Sequence, residues 1–254
     1  MSPSLDLREN REFATEIKFQ VSQSVAEEIL AWARGRMSPD PNGAGSMSDS
    51  YQITSLYFDT EQFDVFARNG SFGRTKYRVR RYGPSEIVFL ERKLKTGGLV
   101  TKRRAAVEVE ELRRLAPEEA DPGWPGFWFH QRLIARRLRP ICQITYRRMA
   151  RVSMTNYGPI RLTLDYDVQT LPVRELAFET SAPGTVLSAG EVIVEMKYRV
   201  DMPVSFKELV ERFGLNAKRV SKYRLAVVAL GLASEPVQAV AQKAVPENPV
   251  CLTS

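Results

Sequence analysis

The residues IRLTLDYDV at positions 160–168 decide the fold class of this chain. Side chains two apart along a β-strand point to the same face of the sheet, so regular alternation gives a strand one apolar and one polar face. The apolar face here carries Ile160, Leu162, Leu164, Tyr166 and Val168. The opposite face carries Arg161, Thr163, Asp165 and Asp167. The stretch therefore predicts a strand whose polar face is charged.

Four other stretches repeat this alternation, and their charged faces are rich in lysine and arginine interspersed with carboxylates. They are residues 12–21, 75–82, 87–95 and 191–200. An antiparallel sheet with one face in water gives the same pattern, which is the simpler interpretation of any single strand. Because many strands share the feature, closure into a barrel with the charged face inward is the alternative. Such an interior would hold water or an anion, since burying unpaired charges is costly.

Helical periodicity and turn residues place the remaining elements. Ser205 and Glu208 form a capping-box pattern at the start of one helix. Several of the helices are amphipathic and are expected to cover an apolar outer face of the sheet. Strands are also predicted at 51–58, 100–110 and 142–151, and helices at 22–36, 61–68, 127–138, 205–214 and 216–230.

Composition narrows the function classes. The net charge of +7, from 37 basic and 30 acidic residues, suits an anionic partner such as nucleic acid, anionic lipid or phosphate. The single histidine, His130, lies in an aromatic-rich stretch and is interpreted as a packing residue, which argues against Ser–His or Cys–His catalysis. Cys142 and Cys251 are far apart and are interpreted as reduced thiols, which favours a cytoplasmic location. No stretch reaches the length of a membrane span, and no signal-peptide pattern, phosphate-loop motif, dinucleotide-binding motif or CxxC pair occurs.

Eight short segments carry a family resemblance. They are Glu16-Ile-Lys18, Ser55-Leu-Tyr-Phe-Asp59, Tyr77-Arg-Val-Arg80, Leu90-Glu-Arg-Lys93, Tyr146-Arg-Arg148, Leu164-Asp165, Val194-Glu-Met-Lys197 and Ser221-Lys222-Tyr223. In this order they resemble the VTC domain, the polyphosphate polymerase domain of the vacuolar transporter chaperone complex. More broadly, the chain resembles the CYTH-like triphosphate tunnel metalloenzymes.

The resemblance implies an α+β fold: a closed antiparallel eight-stranded β-barrel, or tunnel, with helices packed on the outside. It implies one domain over residues 12–231, and residues 232–254 are expected to form a C-terminal tail. The implied function is that of a polyphosphate polymerase, which moves the terminal phosphoryl group of a nucleoside triphosphate onto a polyphosphate chain with a divalent metal. Family members often work beside membrane proteins, so a cytoplasmic chain held at the inner membrane by such a partner is a further expectation.

The resemblance also assigns roles to individual residues. The expected catalytic residues are Arg78, Arg80, Lys93, Arg148, Arg161 and Lys222. The expected phosphate-binding set includes them and adds Lys18, Lys102, Tyr146, Lys197, Arg219 and Ser221. Glu195 and Glu16 are the expected ligands of Mn²⁺ or Mg²⁺. The chemistry agrees, because an arginine fork grips two phosphate oxygens and Mg²⁺ often uses only one or two carboxylates plus substrate phosphates.

Five further acidic residues suit two roles. They are Glu91, Glu108, Glu110, Asp165 and Asp167. Each could bind a metal ion, or it could hold basic side chains in place and limit their mutual repulsion. We favour the second role for most of them.

One departure from the family pattern narrows the function. Related triphosphatases open with E-x-E-x-K, whereas here Ala14 takes the place of the first glutamate before Glu16 and Lys18. This favours the polymerase, with an inorganic tripolyphosphatase and a non-catalytic polyphosphate- or polyanion-binding module as the alternatives. Nucleic-acid binding suits the charge, but the aromatic and basic surface motif expected for single strands is absent, so no nucleic acid is expected as a partner.

Overall fold

A computed structural model of the chain describes residues 15–42, 49–96, 99–180 and 182–234. The strands are β1 (Thr15–Ser22), β2 (Ser38–Pro39), β3 (Ser50–Asp59), β4 (Thr75–Tyr82), β5 (Ile87–Thr96), β6 (Leu99–Glu108), β7 (Arg139–Thr155), β8 (Gly158–Pro172), β9 (Thr185–Val186) and β10 (Glu191–Tyr198). The helices are α1 (Gln23–Arg34), α2 (Asp64–Ala67), α3 (Phe127–Ala135), α4 (Val204–Arg212) and α5 (Lys222–Ala229). Two 3-10 helices cover Gly70–Phe72 and Val109–Leu115. Positions 12–14 of the predicted first strand and residues 235–254 of the predicted tail, with Cys251, lie outside the described residues.

One antiparallel sheet organises the fold, with the strand order β1-β10-β8-β7-β3-β4-β5-β6. The two-residue strands β2 and β9 pair with β7 and β8, which brings the described strands to ten. The sheet curls until β1 approaches β6, but in the described ranges no hydrogen-bonded ladder joins the two. The prediction of a closed eight-stranded barrel is therefore wrong, because the sheet is open along this seam. A side-chain pair reaches across the seam instead, from Lys93 Nζ on β5 to Glu16 Oε2 on β1 at 2.5 Å.

Helices cover the outer face of the sheet in two patches. α1 and α4 pack on the apolar faces of β1, β10 and β8, where Phe19 and Met196 are buried. Ser22 caps α1 by accepting a hydrogen bond from the Val25 N–H. α3 and the second 3-10 helix cover β3, β4 and β5 around the buried Phe129. The apolar sides of the alternating strands thus form the core, and their charged sides face one another across the curled sheet.

α5 corrects the expectation that helices pack only on the outside. It packs against β7 and β8, and Tyr223 stacks on Tyr57 with ring centroids 5.3 Å apart. Tyr57 lies opposite Arg78 in the β3–β4 ladder, so this is the charged inner face. The Tyr223 hydroxyl donates to Asp59 at 2.5 Å and fixes the start of the helix. α5 therefore fills part of the interior and carries Lys222 into it.

Two helix starts differ from the prediction. Ser205 lies inside α4, whose N-cap residue is Pro203, so the predicted capping box does not form. An N-cap residue has an extended backbone, and that conformation occurs two residues before Ser205. The last helix begins at Lys222 rather than near residue 216, and Ser221 caps it by accepting from the Arg224 N–H.

The structure also tests the residues expected to have purely structural roles. His130 is buried, and its ring nitrogen lies 2.9 Å from the carbonyl oxygen of Pro117, which confirms a packing role. Cys142 is a buried free thiol. Across residues 15–42, 49–96, 99–180 and 182–234, no helix combines the length and apolar character that crossing a bilayer requires.

Candidate functional site

The charged faces of the curled sheet enclose a central cavity of about 310 Å³. Every strand on the main path of the sheet contributes to its wall, and α5 contributes from one side. Its eleven basic residues are Lys18, Lys76, Arg78, Arg80, Lys93, Lys102, Arg104, Arg148, Arg161, Lys197 and Lys222. Its other polar residues are Glu16, Glu195, Tyr57, Tyr146 and Thr163. The lining is therefore strongly positive.

Strand register explains how residues so distant in sequence meet. Lys18 on β1 lies opposite Glu195 on β10, and Glu195 lies opposite Thr163 on β8. On the far wall, Arg78 on β4 lies opposite Glu91 on β5. Cross-strand partners lie side by side on the same face of the sheet. Because each strand alternates and the strands pair in register, the charged residues of all of them line one cavity.

Glu91 anchors one corner of the cavity. It is fully buried and accepts from Arg78 Nε at 2.7 Å, while Lys102 Nζ lies 2.6 Å from its other oxygen. Burial alone would raise the pKa of Glu91, but Arg78 and Lys102 outweigh burial and hold the pKa well below its usual range. Burial, only partly offset by Glu91, lowers the pKa of Lys102 to about 8. An ionised carboxylate behind the wall thus fixes the direction of two cations.

Asp165 anchors a second corner in the same way. Arg148 donates to both carboxylate oxygens at 2.6 and 2.7 Å, and Lys222 Nζ lies 2.5 Å away. Burial opposes ionisation, but Arg148 and Lys222 lower the pKa of Asp165 far below its usual value. Because Lys222 belongs to α5, this carboxylate also ties the inner helix to the sheet. The predicted role of holding basic side chains is confirmed for Glu91 and Asp165.

Arg80 and Lys76, called the strip below, flank Arg78 on β4 and contact hydroxyl groups. Arg80 Nε donates to Ser55 at 3.2 Å and its Nη2 donates to the Tyr146 hydroxyl at 3.1 Å. Lys76 Nζ donates to Ser221 at 2.7 Å. Burial, reinforced by the charges of nearby lysines and arginines, holds the pKa of Lys76 well below its usual value. Among the described residues, these two cations thus contact hydroxyl groups rather than carboxylates.

Arg161 stands near one mouth of the cavity. Its Nη2 lies 2.9 Å from Asp40 Oδ2 and donates to the Tyr51 hydroxyl at 2.9 Å. Lys197 lies opposite Arg161 in the β8–β10 ladder and lines the same cavity. The predicted residues on β8 and β10 thus meet those of the other strands.

Glu195 and Glu16 are the carboxylates in the cavity lining. Glu195 Oε2 lies 3.0 Å from Lys18 Nζ, and Glu16 pairs with Lys93 across the seam. Burial opposes ionisation of Glu195, but Lys18 and Lys93 lower its pKa well below the usual value. In the described part of the chain, no cluster of three acidic, histidine or cysteine residues forms a ready metal cage. One or two carboxylates in a cavity can suit Mg²⁺ or Mn²⁺, because these ions complete their shells with oxygen atoms of a bound ligand and with water.

A second cavity of about 390 Å³ adjoins the first and shares four charged side chains of β1, β4 and β5 with it. Arg219 and Ser221 line this adjoining cavity and not the central one. The other predicted phosphate-binding residues and both predicted metal ligands line the central cavity. The structure therefore divides the predicted site between two connected spaces.

Four polar residues of the central cavity escaped the sequence prediction: Tyr57, Lys76, Arg104 and Thr163. Three of them lie two residues from a predicted residue on the same strand, so alternation alone could have added them. Tyr57 lies two residues after Ser55 on β3 and shares its inner face.

Three acidic residues do not hold basic side chains inside the cavity. Asp167 is exposed and pairs with Arg147 at 3.3 Å, because a bulge near Thr145 and a positive φ of 54° turn it outward. Glu108 is the N-cap of the second 3-10 helix, and Glu110 is exposed within that helix. Regular alternation along β8 stops at the bulge around Asp167, and β6 ends at Glu108. The predicted inward orientation of these three side chains therefore fails.

Comparisons with known proteins identify one family and one similar fold. The sequence profile of the VTC domain matches residues 13–230. No curated protein sequence matches the chain. A candidate adenylate cyclase of known structure from Bacillus halodurans has 15% identity and a TM-score of 0.52, over 84% of this chain and 95% of that chain, which shows a similar fold. A candidate adenylyl cyclase from Hippeastrum with a dominant triphosphatase activity has 16% identity and a TM-score of 0.47, over 86% of this chain and 96% of that chain.

Proposed function

The chain belongs to the VTC-domain family, and on that premise we propose that it is a polyphosphate polymerase. It would move the terminal phosphoryl group of a nucleoside triphosphate onto a polyphosphate chain with Mn²⁺ or Mg²⁺. The observation that carries this proposal is the central cavity, where eleven basic side chains face two carboxylates. Such an excess of positive charge in a confined space suits a ligand with one negative charge or more on each phosphate.

The proposed reaction needs no protein nucleophile. A terminal oxygen of the chain attacks the γ-phosphorus, the bond from that phosphorus to the β,γ-bridging oxygen breaks, and the nucleoside diphosphate leaves with that oxygen. The chain grows by one phosphoryl unit. Catalysis of such transfers rests on positioning and charge neutralisation, which in this proposal fall to Arg78, Arg80, Lys93, Arg148, Arg161 and Lys222.

The remaining proposed binding residues have distinct places. Lys18, Lys102, Tyr146 and Lys197 hold phosphates within the central cavity. Arg219 and Ser221 contact the chain where it passes into the adjoining cavity. Glu195 and Glu16 would hold the divalent ion, which neutralises phosphate oxygens when bound.

The test is incubation of the purified chain with ATP and Mn²⁺, followed by separation of polyphosphate by length. Wild type should build chains, and Arg80→Ala and Glu195→Gln should each reduce the rate by roughly 100-fold or more, the usual loss when one transition-state contact is removed. Arg139→Ala, which changes an exposed arginine on the outside, is the matched control.

Three results would contradict the polymerase. One is release of orthophosphate from tripolyphosphate without chain growth, which indicates a tripolyphosphatase. Another is tight binding of polyphosphate without turnover, which indicates a binding module. The third is chain growth that both active-site substitutions leave unchanged.

A further inference from the structure

An aromatic cluster stands on the inner face beside the central cavity. It consists of Tyr51 on β3, Tyr82 on β4 and Phe89 on β5. Ring centroids of Tyr82 and Phe89 are 5.6 Å apart, and those of Tyr51 and Tyr82 are 6.0 Å apart. All three rings are half-buried. In contrast to the charged wall farther along these strands, this mouth therefore offers ring surface to a ligand.

Two arginines of the cavity wall lie over these rings. The Arg104 guanidinium carbon lies 3.3 Å from the centroid of Phe89 and 5.7 Å from that of Tyr82. The Arg80 guanidinium carbon lies 6.0 Å from the Tyr82 centroid. Ala106, the cross-strand partner of Phe89, is small and exposed, so it leaves space beside the ring. A flat cation supported by an aromatic ring thus stands where the phosphate cavity opens.

We propose that the Arg104, Phe89 and Tyr82 cluster binds the nucleobase of the nucleoside triphosphate donor. Nucleobases stack on aromatic rings and on arginine planes, and such stacking tolerates any base because every base has a flat face. Phe89 lies opposite Arg80, and Glu91, which holds Arg78, is two residues farther along β5. A base on the cluster therefore directs its phosphates past Arg80 and Arg78 into the cavity. This inference rests on the proposed nucleotide substrate.

The adjoining cavity lacks a comparable platform among the described residues that line it. Its one aromatic residue is Tyr223, which is only 1% exposed, and whose ring already stacks on Tyr57. Polyphosphate has no ring and gains nothing from stacking. The two ends of the site therefore differ: the nucleoside binds at the aromatic mouth, and the growing chain leaves through the adjoining cavity.

The experiment compares ATP with methyl triphosphate, which carries the same triphosphate ester without a nucleoside, in calorimetric titrations. Wild type should bind ATP more tightly, and Phe89→Ala should weaken ATP binding roughly fivefold or more while leaving methyl triphosphate unchanged, as expected for a lost base–aromatic stack. Phe72→Ala is the matched control, because Phe72 lies under Arg136 outside both cavities and should change neither ligand. Methyl triphosphate binding also reports that each variant is folded, and Tyr82→Leu provides a second variant with the same expected pattern.

Equal affinities of wild type for the two ligands would overturn the inference. So would variants that weaken both ligands equally or neither. These outcomes are separate from polymerase activity, which is scored by product length. A chain that forms no polyphosphate but keeps a ring-dependent preference for ATP would refute only the polymerase and would support the nucleobase site.

Discussion

The corners of the cavity around Glu91 and Asp165 differ from the strip that holds Arg80 and Lys76. At the corners, a fully buried carboxylate lies within 2.7 Å of two cations. Along the strip, the cations contact hydroxyl groups of Ser55, Tyr146 and Ser221. Every cation lines the same cavity, so the difference lies in what stands behind each one.

This difference indicates two separate roles: the corners hold the geometry of the wall, and the strip binds anions. A buried ion pair contributes little net stability over apolar packing, but breaking it leaves a costly unpaired charge, so the corners mainly fix geometry. Cations that contact only neutral hydroxyls have no carboxylate partner to give up when a ligand binds, and a bound polyanion favours the charged form of Lys76. We therefore expect substitutions at the corners to act first on folding and substitutions in the strip to act first on anion binding.

Loss of the Glu91 anchor should have the largest effect. Glu91→Gln leaves Arg78 and Lys102 without their carboxylate and should lower the free energy of unfolding by about 3 kcal/mol. Glu86→Gln is the control, since Glu86 forms only an exposed pair with Arg81 and its loss should cost under about 1 kcal/mol. Urea denaturation measures both. A Glu91→Gln protein as stable as wild type would remove the distinction between corner and strip.

Arg80→Ala tests the strip. It should lower tripolyphosphate affinity by roughly 10- to 150-fold, the usual range for a lost hydrogen bond to a charged group. Its stability should fall less than that of Glu91→Gln, because it leaves no buried carboxylate unpaired. Calorimetric titration beside denaturation measures the two effects, with Arg139→Ala as the exposed control. A large loss of stability with unchanged affinity would reverse the assignment.

The pH dependence of binding sharpens the comparison further. The pKa of Lys102 is about 8 in the free protein, so this lysine is mostly neutral above that pH. A bound polyanion favours the charged form, so binding takes up a proton and affinity should fall as pH rises from about 8 to 10, by up to about tenfold per pH unit. Lys102→Met should flatten the profile, and an unchanged slope would show that another group titrates.

The lowered pKa of Lys102 also determines whether its contribution to the free energy of unfolding rises or falls with pH. Lys102 has a lower pKa in the folded chain than its ordinary value of 10.5. The unfolded chain therefore binds more protons between about pH 8 and 10.5, and the contribution of Lys102 to the free energy of unfolding should rise with pH across this window. Comparing wild type with Lys102→Met by denaturation isolates this contribution.

A substitution at the seam between β1 and β6 should have the smallest effect on the free energy of unfolding. Glu16→Gln removes the single ion pair from β1 to Lys93 on β5 and should cost about 1 kcal/mol, less than the loss of Glu91, which pairs with two cations. Amide hydrogen exchange should quicken along β1 and β6 and stay unchanged in β3. Unchanged exchange along the seam would show that other contacts hold it.

The sequence predicted the wall of the cavity better than its ends. Alternation of side chains along a strand determines which residues share a face, without any knowledge of packing. It correctly predicted that Arg78, Arg80 and Glu195 lie on the charged face. The position of α5 could not be read in this way. Apolar residues at helical spacing show that a helix is buried on one side, but they do not say whether it lies inside or outside the curl of the sheet.

Two other features depend on contacts that a local pattern does not contain. The outward turn of Asp167 follows from a bulge against β7, and the open seam follows from how far the sheet curls. Both are set by the pairing of distant strands. The resemblance to the VTC domain supplied Tyr146 and Arg148, since the odd positions of residues 142–151 carry no apolar face to orient them.

The most direct test of the central claim is an experimental structure of the chain with tripolyphosphate and Mn²⁺. We predict phosphate density in the central cavity, within hydrogen-bond distance of Arg80 and Lys76 and of the cations held by Glu91 and Asp165. Phosphate density only on the outer surface, or an empty central cavity at saturating ligand, would contradict this account.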